Sequence, residues 1–435
     1  MNVMDEKFFE PDLETMPRAE LEARQEARIL ELVNIAYENA PLYRWWWDKA
    51  GVRPADIKSM ADFTEKIPFI SKDLIKQWRD DHGDPFGGLV CPSEGPINAV
   101  MSSSGTTGEP TYFAEYHRPW SPLAVGMIRS LWEHGLRPGD RALEQPTTFR
   151  GGGRHAFRLL GVTSIDFNSF LGAWNDVLDA VDRYDIRYLQ LMGPLMSELD
   201  SLSEVRDIRT ALAPLKFASF AGEPLGSRMQ AKVRDEWDVK LVMWTSAGDI
   251  GTAWECSIGD GYHIWEDTAV VECISTSGSD AVPDGQIGEL VVTAIDNDLA
   301  PLIRYRSDDL VVLDRGVCGC GRTHVRKWPM GRKGDQILVR GLAVTPMQVW
   351  EVVEKCDETR GALFQIIRPA EELDELRIRV GYDTSRTGDL TELDERLSWQ
   401  IEEALGIRPH LELVDEKAII ARASSAAKVP RVSKT

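Results

Sequence analysis

The stretch Met101–Pro110, MSSSGTTGEP, sets five hydroxyls beside two glycines, with no aromatic or basic side chain among them. Backbone N–H groups freed by Gly105 and Gly108, together with the hydroxyls of Ser102, Ser103, Ser104, Thr106 and Thr107, can cradle phosphate. The lysine that a GxxxxGK[ST] loop requires is absent. On these residues alone a plain surface loop remains the competing reading. A second group has metal chemistry. Cys318 and Cys320 flank a glycine in VCGCGRTH, and Cys256 and His263 stand seven residues apart in ECSIGDGYHIW. Three thiolates and one imidazole make a closed tetrahedral set suited to structural Zn²⁺, with His324 as an alternative fourth ligand. The plain alternative is reduced cysteines in turns. Cys91, Cys273 and Cys356 read as small buried hydrophobes.

The elements that must position these groups are bounded by composition. A chain of 435 residues exceeds what a single core usually fills, so at least two domains are expected. Apolar content of 43% and charged content of 28% belong to a soluble globular protein, and no apolar run reaches the roughly 18 residues of a membrane span. The N-terminus, MNVMDEKFFEPDLE, has neither a basic head nor an apolar stretch, so a cytoplasmic location is expected. A formal charge of -20 with no basic stripe argues against nucleic acid as a partner. Six scattered cysteines do not form a disulfide scaffold.

Periodicity predicts an early amphipathic helix over RAELEARQEARILELVNIAYENA, with Leu21, Ile29, Leu32, Ile35 and Ala36 near one face. The Trp45–Trp47 cluster reads as packing or interface. From about residue 120 to 300, helices alternate with short strands (RALEQP, IRYLQLM, KFASF, VKLVMW), the pattern of a mainly parallel sheet covered on both faces. Ligands of such sheets sit beyond the carboxyl ends of strands. GELVVTAID and DLVVLD read as a more antiparallel, β-rich region, and the segment after GRKGD reads as a compact α+β unit of strands and helices. The final ASSAAKVPRVSKT reads as a polar, mobile tail.

The order SSSGTTGEP, FASFAGEPL, LVMWTSAGDIG, PLIRYRSDDL, GRKGDQILVRGLAVTP resembles the adenylate-forming (ANL) superfamily, in its phenylacetate–CoA ligase-like branch. YENAPLYRWWWDKAGV, DFTEKIPFISKDLI, CGCGRT and a lysine near the C-terminus extend the likeness nearly end to end. The resemblance implies an α/β fold: a large N-terminal adenylate-forming domain, residues 1–332, of mainly parallel sheets flanked by helices plus a β-rich region, and a small mobile C-terminal α+β domain, residues 333–435. It also implies two half-reactions. A carboxylate and ATP give an acyl-adenylate and pyrophosphate, and the acyl group then passes to the thiol of coenzyme A. Attack of one anion on another needs charge compensation by donors and by Mg²⁺.

By the same resemblance, Ser102 to Gly108 form a mobile loop over the phosphates, and Gly222, Glu223 and Pro224 line the adenine. Trp244 stands where a tyrosine is usual beside the adenine, and Thr245 where glycine is usual. Asp249 falls near the acidic residue associated with Mg²⁺, with Gly248 competing for that register. Asp309 matches the carboxylate that accepts the ribose hydroxyls, with Asp308 at a position usually glycine, and Arg332 matches the arginine that assists. Gly334 takes the place of the pivot residue between half-reactions. Lys428 matches the lysine delivered to the α-phosphate and carboxylate; Arg431 supports that register, and Lys434 is the competitor. The branch favours aryl and arylacetic acids. Arg150 or Arg154, in QPTTFRGGGRH, could pair with a second substrate carboxylate or with CoA phosphates. Two other readings stand beside the ligase: an enzyme that loads a carrier protein, which the acidity of this chain disfavours, and a degenerate nucleotide-binding protein without turnover. The expected partner is a small-molecule carboxylic acid, with neither nucleic acid nor membrane; a homodimer is compatible with the sequence.

Overall fold

The computed structural model describes residues 6–92, 96–102, 111–115, 121–145, 152–167, 169, 172–221, 225–335, 337–370, 372–422 and 430–433. The chain forms two compact units. One comprises Met1–Arg137, Phe149–Gly161 and Trp244–Met330; the other comprises Pro138–Thr148, Val162–Met243 and Gly331–Thr435.

In the first unit, the antiparallel strands Ala269–Ile274, Ile287–Ala294 and Tyr305–Asp314 lie side by side. All residues of Ile287–Ala294 after the first are buried, so both faces of this strand are covered, and the one buried carboxylate among them, Glu289, is paired with Arg306. The N-terminal helices complete this core. Arg18–Asn39 buries Leu21, Ile29, Leu32 and Ala36 as its 3.6-residue period predicts, while Ile35 packs only at the margin and Gln25 and Val33 join the buried face. Gln25 is accommodated because its amide donates to the carbonyls of Glu266 and Ala269, both at 2.9 Å. Trp47 is fully buried whereas Trp45 is 40% exposed, so the tryptophan cluster is packing at one end and surface at the other.

The second unit holds the parallel sheet. Thr163–Asp166, Arg141–Glu144, Tyr188–Leu191 and Phe217–Phe220 are neighbours in that order, and Leu241–Met243 continues it beside Phe217–Phe220. The helix Trp174–Arg183 lays Trp174, Val177, Leu178 and Val181 into its core. Residues 337–433 build a separate α+β core. Leu376–Tyr382 pairs antiparallel with Phe364–Ile367 and parallel with Pro409–Asp415, and the helices Pro346–Val353 and Leu390–Leu405 pack alongside.

The end of the chain is not simply a polar tail, because Val432–Ser433 adds a parallel strand to Phe364–Ile367. The guanidinium of Arg431 lies 4.0 Å from the Trp350 ring centroid and donates to the Ala362 carbonyl at 2.6 Å. A short strand of VS escapes a periodicity reading, since two residues carry no period.

Charged residues also hold the first unit together. Arg322, 1% exposed, donates to Glu14 at 2.6 and 2.9 Å and to Glu133, which are themselves 0% and 1% exposed. Removing one partner of such a group leaves uncompensated buried charge. Arg322→Met is therefore expected to lower the unfolding free energy by about 3–5 kcal/mol, measured by denaturant titration. A loss under about 1 kcal/mol would show that the two carboxylates find other partners or protons.

Candidate functional site

Strand Phe217–Phe220 ends immediately before the AGEP segment, and Arg141–Glu144 ends before QPTTFRGGG. Gly222, Glu223, Pro224 and Arg150 themselves lie outside the described residues, as do Ser103, Ser104, Gly105, Thr106, Thr107, Gly108, Lys428 and Lys434. Ser102 ends strand Ala99–Ser102, which pairs antiparallel with Tyr112–Glu115, so the hydroxyl-rich stretch connects two strands of a hairpin. Arg154 lies on the helix Gly152–Leu160.

The WTSAGDIG stretch forms a tight turn between two strands of the first unit. Trp244 and Thr245 belong to a strand that turns back through Gly248 and Asp249, both at positive φ (69° and 67°), into the strand Thr252–Glu255. A Cβ at Gly248 would come within 3.0 Å of Val292 and 3.2 Å of Ser307, so the acidic side chain of this turn sits at Asp249 rather than at 248. The Asp249 N–H donates to Ser246 Oγ at 3.1 Å, and its carboxylate accepts from the Tyr305 hydroxyl at 3.1 Å and pairs with Lys72 at 3.2 Å. Trp244 stacks on Trp254, with centroids 5.5 Å apart and planes at 20°. One face of the indole thus has a protein partner.

Asp309 lies where the strand Tyr305–Asp314 bulges. Glu289 pairs with Leu310 but Val291 pairs with Arg306, so Ser307, Asp308 and Asp309 oppose a single residue of the neighbouring strand. A bulge re-aims side chains locally. Asp308 takes φ 63°, a conformation that glycine adopts more cheaply, which accounts physically for the oddity of an aspartate there. The Asp309 N–H donates to Ser307 Oγ at 3.2 Å.

Two lysines at these residues escaped the sequence reading. Lys72 heads the helix Lys72–His82 and reaches Asp249; its FISKDLI context was visible but carried no role. Lys327, 1% exposed, donates to the carbonyl of Ser246. Burial pulls its ammonium down to about 8, opposed by the nearby Asp309 carboxylate. No periodicity marks a buried lysine in advance.

Arg332 ends the strand Arg326–Arg332, and its carbonyl accepts from Asp335 N–H at 3.1 Å. Gly334 is exposed, and a Cβ there would meet nothing within 4 Å.

The cysteine set converges. Among the described residues, the ligand atoms of Cys256, His263, Cys318 and Cys320 lie within 4.8 Å of one another, and all four residues are buried. Cys256 Sγ is 3.8 Å from Cys318 Sγ, and Cys320 Sγ is 3.6 Å from His263 Nε2. Ligands about 2.0–2.3 Å from a tetrahedral ion stand roughly 3.3–3.8 Å apart, so these two separations are compatible with a tetrahedral zinc site. His263 Nδ1 donates to the His324 carbonyl at 3.1 Å, which leaves Nε2 directed to the sulfurs. His324 lies outside this cluster. Its Nδ1 accepts from Glu266 N–H at 2.8 Å and its Nε2 donates to the Leu13 carbonyl at 3.0 Å, and burial holds it neutral, its pKa pushed down to about 4. Hydrogen bonding from Cys320 pulls Cys256 well below the usual thiol range, and hydrogen bonding from His263 lowers Cys318. Cys91, Cys273 and Cys356 are buried away from this set.

A family profile described as the AMP-binding enzyme C-terminal domain matches residues 341–434. The phenylacetate–coenzyme A ligase of Thermus thermophilus is 31% identical over 382 residues, covering 86% of this chain and 84% of that enzyme. The chain belongs to the phenylacetate–CoA ligase-like branch of the adenylate-forming enzymes. The corresponding ligase of Aromatoleum evansii is 32% identical over 355 residues, covering 79% of this chain and 78% of that enzyme. Among solved structures, 2-hydroxyisobutyryl-CoA ligase in its postadenylation state superposes with a TM-score of 0.83 at 26% identity, covering 99% of this chain and 93% of that one. The same ligase in its thioesterification state gives a TM-score of 0.69, over 99% of this chain and 92% of that one. The protein is an ATP-dependent, AMP-forming acyl-CoA ligase acting on a small-molecule carboxylic acid. Among the described residues no helix is long and apolar enough to cross a membrane.

Proposed function

We propose that the acid activated by this ligase is aromatic, an aryl or arylacetic acid. The observation that carries the reading is that its curated relatives at 28–32% identity are phenylacetate–CoA ligases. The solved neighbour with an aliphatic name, 2-hydroxyisobutyryl-CoA ligase, matches at 26% identity. A pyrophosphate-release screen over phenylacetate, benzoate, ring-substituted analogues and 2-hydroxyisobutyrate separates the two. Turnover is expected with the aromatic acids; release with 2-hydroxyisobutyrate alone would assign the aliphatic class.

In this reading Asp309 accepts the ribose hydroxyls, with Arg332 assisting, and the Ser102–Gly108 stretch donates to the phosphates. Gly222, Glu223, Pro224, Trp244 and Thr245 serve the adenine. Asp249 would hold Mg²⁺ together with the phosphates, for which one or two carboxylates suffice. Bound there, the ion would offset the charge of the phosphates as one anion attacks another. Lys72 already compensates the Asp249 carboxylate, and Lys327 braces the turn from below through Ser246. Residues 333–435 act as the mobile domain that carries Lys428, with Gly334 free to absorb the rotation. Cys256, His263, Cys318 and Cys320 would hold a structural zinc, closing two loops into one knuckle.

Asp309→Ala is expected to weaken ATP binding by about 1–3 kcal/mol, because it removes a charged acceptor from two ribose hydroxyls. Calorimetric titration with a non-hydrolysable ATP analogue reads this directly. An unchanged Kd would remove Asp309 from the nucleotide site.

A further inference from the structure

Within the second unit, residues 331–435 meet the segment 193–236 through charge. Asp200, at the end of the helix Gly193–Leu202, has a side chain only 5% exposed and pairs with Lys232 at 2.5 Å, Arg360 at 3.1 Å and Arg228 at 3.4 Å. Glu204, one turn on, pairs with Arg360 at 2.8 Å and with Arg386. Both arginines are presented by turns built inside residues 331–435. Thr359 Oγ1 donates to the Val353 carbonyl at 2.7 Å next to Arg360, and Arg386 is held by Asp383 at 3.1 Å. The apolar cores on the two sides share no residue, one running from Leu143 to Val239 and the other from Ile337 to Ile401. An interface held by ion pairs rather than a common core is one that can open.

The design is asymmetric. If Arg360 leaves, Asp200 keeps Lys232 and Arg228, so no buried carboxylate is stranded. Arg431, three residues beyond Lys428 in sequence, belongs to the same body as these arginines, because it stacks on Trp350 and the Ile366 N–H donates to its carbonyl at 2.8 Å. The chain matches 2-hydroxyisobutyryl-CoA ligase better in its postadenylation state than in its thioesterification state, with TM-scores of 0.83 and 0.69.

We propose that Asp200 and Glu204, by gripping Arg360 and Arg386, position residues 331–435 for the adenylation half-reaction and release them for thioester formation. The inference rests on the reading that Lys428 serves adenylation. It supplies what the exposed Gly334 cannot, a set of contacts that stabilises one orientation.

The test is the variant Arg360→Gln/Arg386→Gln in the full chain, spin-labelled through cysteines introduced at the exposed Ser201 and Glu403. The native cysteines are all buried. The parent should give one narrow distance distribution, and the variant a broadened or second population at an unchanged unfolding midpoint. With phenylacetate as probe acid, acid-dependent ATP–pyrophosphate exchange should fall about tenfold in the variant, while CoA thioester formation from supplied phenylacetyl-adenylate holds or rises. Superimposable distance distributions, or equal loss in both half-reactions, would overturn the proposal. Lys428→Ala should abolish exchange without moving the label distance. If it leaves exchange intact, the lysine assignment fails, and the distance measurement on the arginine variant still decides whether these ion pairs hold the orientation.

Discussion

Replacing Lys428 by alanine is expected to slow adenylation by about 10³-fold or more while leaving thioester formation from a supplied acyl-adenylate nearly unchanged. The reason is electrostatic. In the first half-reaction a carboxylate anion attacks the α-phosphorus of a polyanion, and an ammonium contacting both is worth most at the moment the new P–O bond forms. In the second, the thiol of CoA attacks a carbonyl whose leaving group, AMP, is already in place, so that lysine has no comparable charge to offset. The C-terminal segment supports the register, since Arg431 and Val432, just beyond Lys428, are tied to Trp350 and Ile366. Pre-steady-state assays of each half-reaction read the split. Equal loss in both would reassign Lys428 to general architecture, and loss confined to Lys434→Ala would shift the register.

The second large effect concerns the cysteine knuckle. Purified enzyme is expected to contain about one zinc per chain, and chelation is expected to lower the unfolding midpoint more than it lowers the specific activity of the molecules that remain folded. Isolated structural zinc sites contribute on the order of 10 kcal/mol to folding, well beyond any single ion pair. The knuckle also anchors the N-terminus. Lys7 donates to the Cys320 carbonyl at 2.6 Å, Thr323 Oγ1 donates to the Met16 carbonyl at 2.6 Å, and Arg322 holds Glu14. Chelation should therefore expose the first twenty residues to protease before global unfolding. Elemental analysis showing metal-free protein after zinc-replete expression would leave CGCGR as a turn whose glycines matter more than its sulfurs.

The parallel strands were legible because KFASF and IRYLQLM are apolar runs bounded by helical periods, and the structure covers them on both faces. The four candidate ligands could be singled out because VCGCGRTH and ECSIGDGYHIW offer three thiols and an imidazole at short spacings, and the structure brings those ligand atoms together. What separated His263 from His324 was not legible. The choice depends on which imidazole has both ring nitrogens satisfied, and that is set by Glu266 and Leu13, 58 and 311 residues away. The position of Asp249 illustrates a different limit. Sequence register leaves Gly248 and Asp249 as rivals, and the side chains of Val292 and Ser307, packed against Gly248, explain why position 248 carries no side chain. Lys72 and Lys327 were invisible for a related reason. A lysine becomes part of a site through what faces it across the fold, and neither neighbour is near in sequence.

Activation of the carboxylate through an acyl-adenylate can be read by following oxygen. The enzyme is supplied with ATP, CoA and the acid selected by the screen, its carboxylate labelled with ¹⁸O, and the products are separated for mass spectrometry. A carboxylate oxygen that attacks the α-phosphorus stays on phosphorus when the thiol displaces AMP. An acyl-adenylate route gives one ¹⁸O in AMP, none in pyrophosphate, and a CoA thioester retaining the other. Label in inorganic phosphate, or thioester formed with unlabelled AMP, would contradict it.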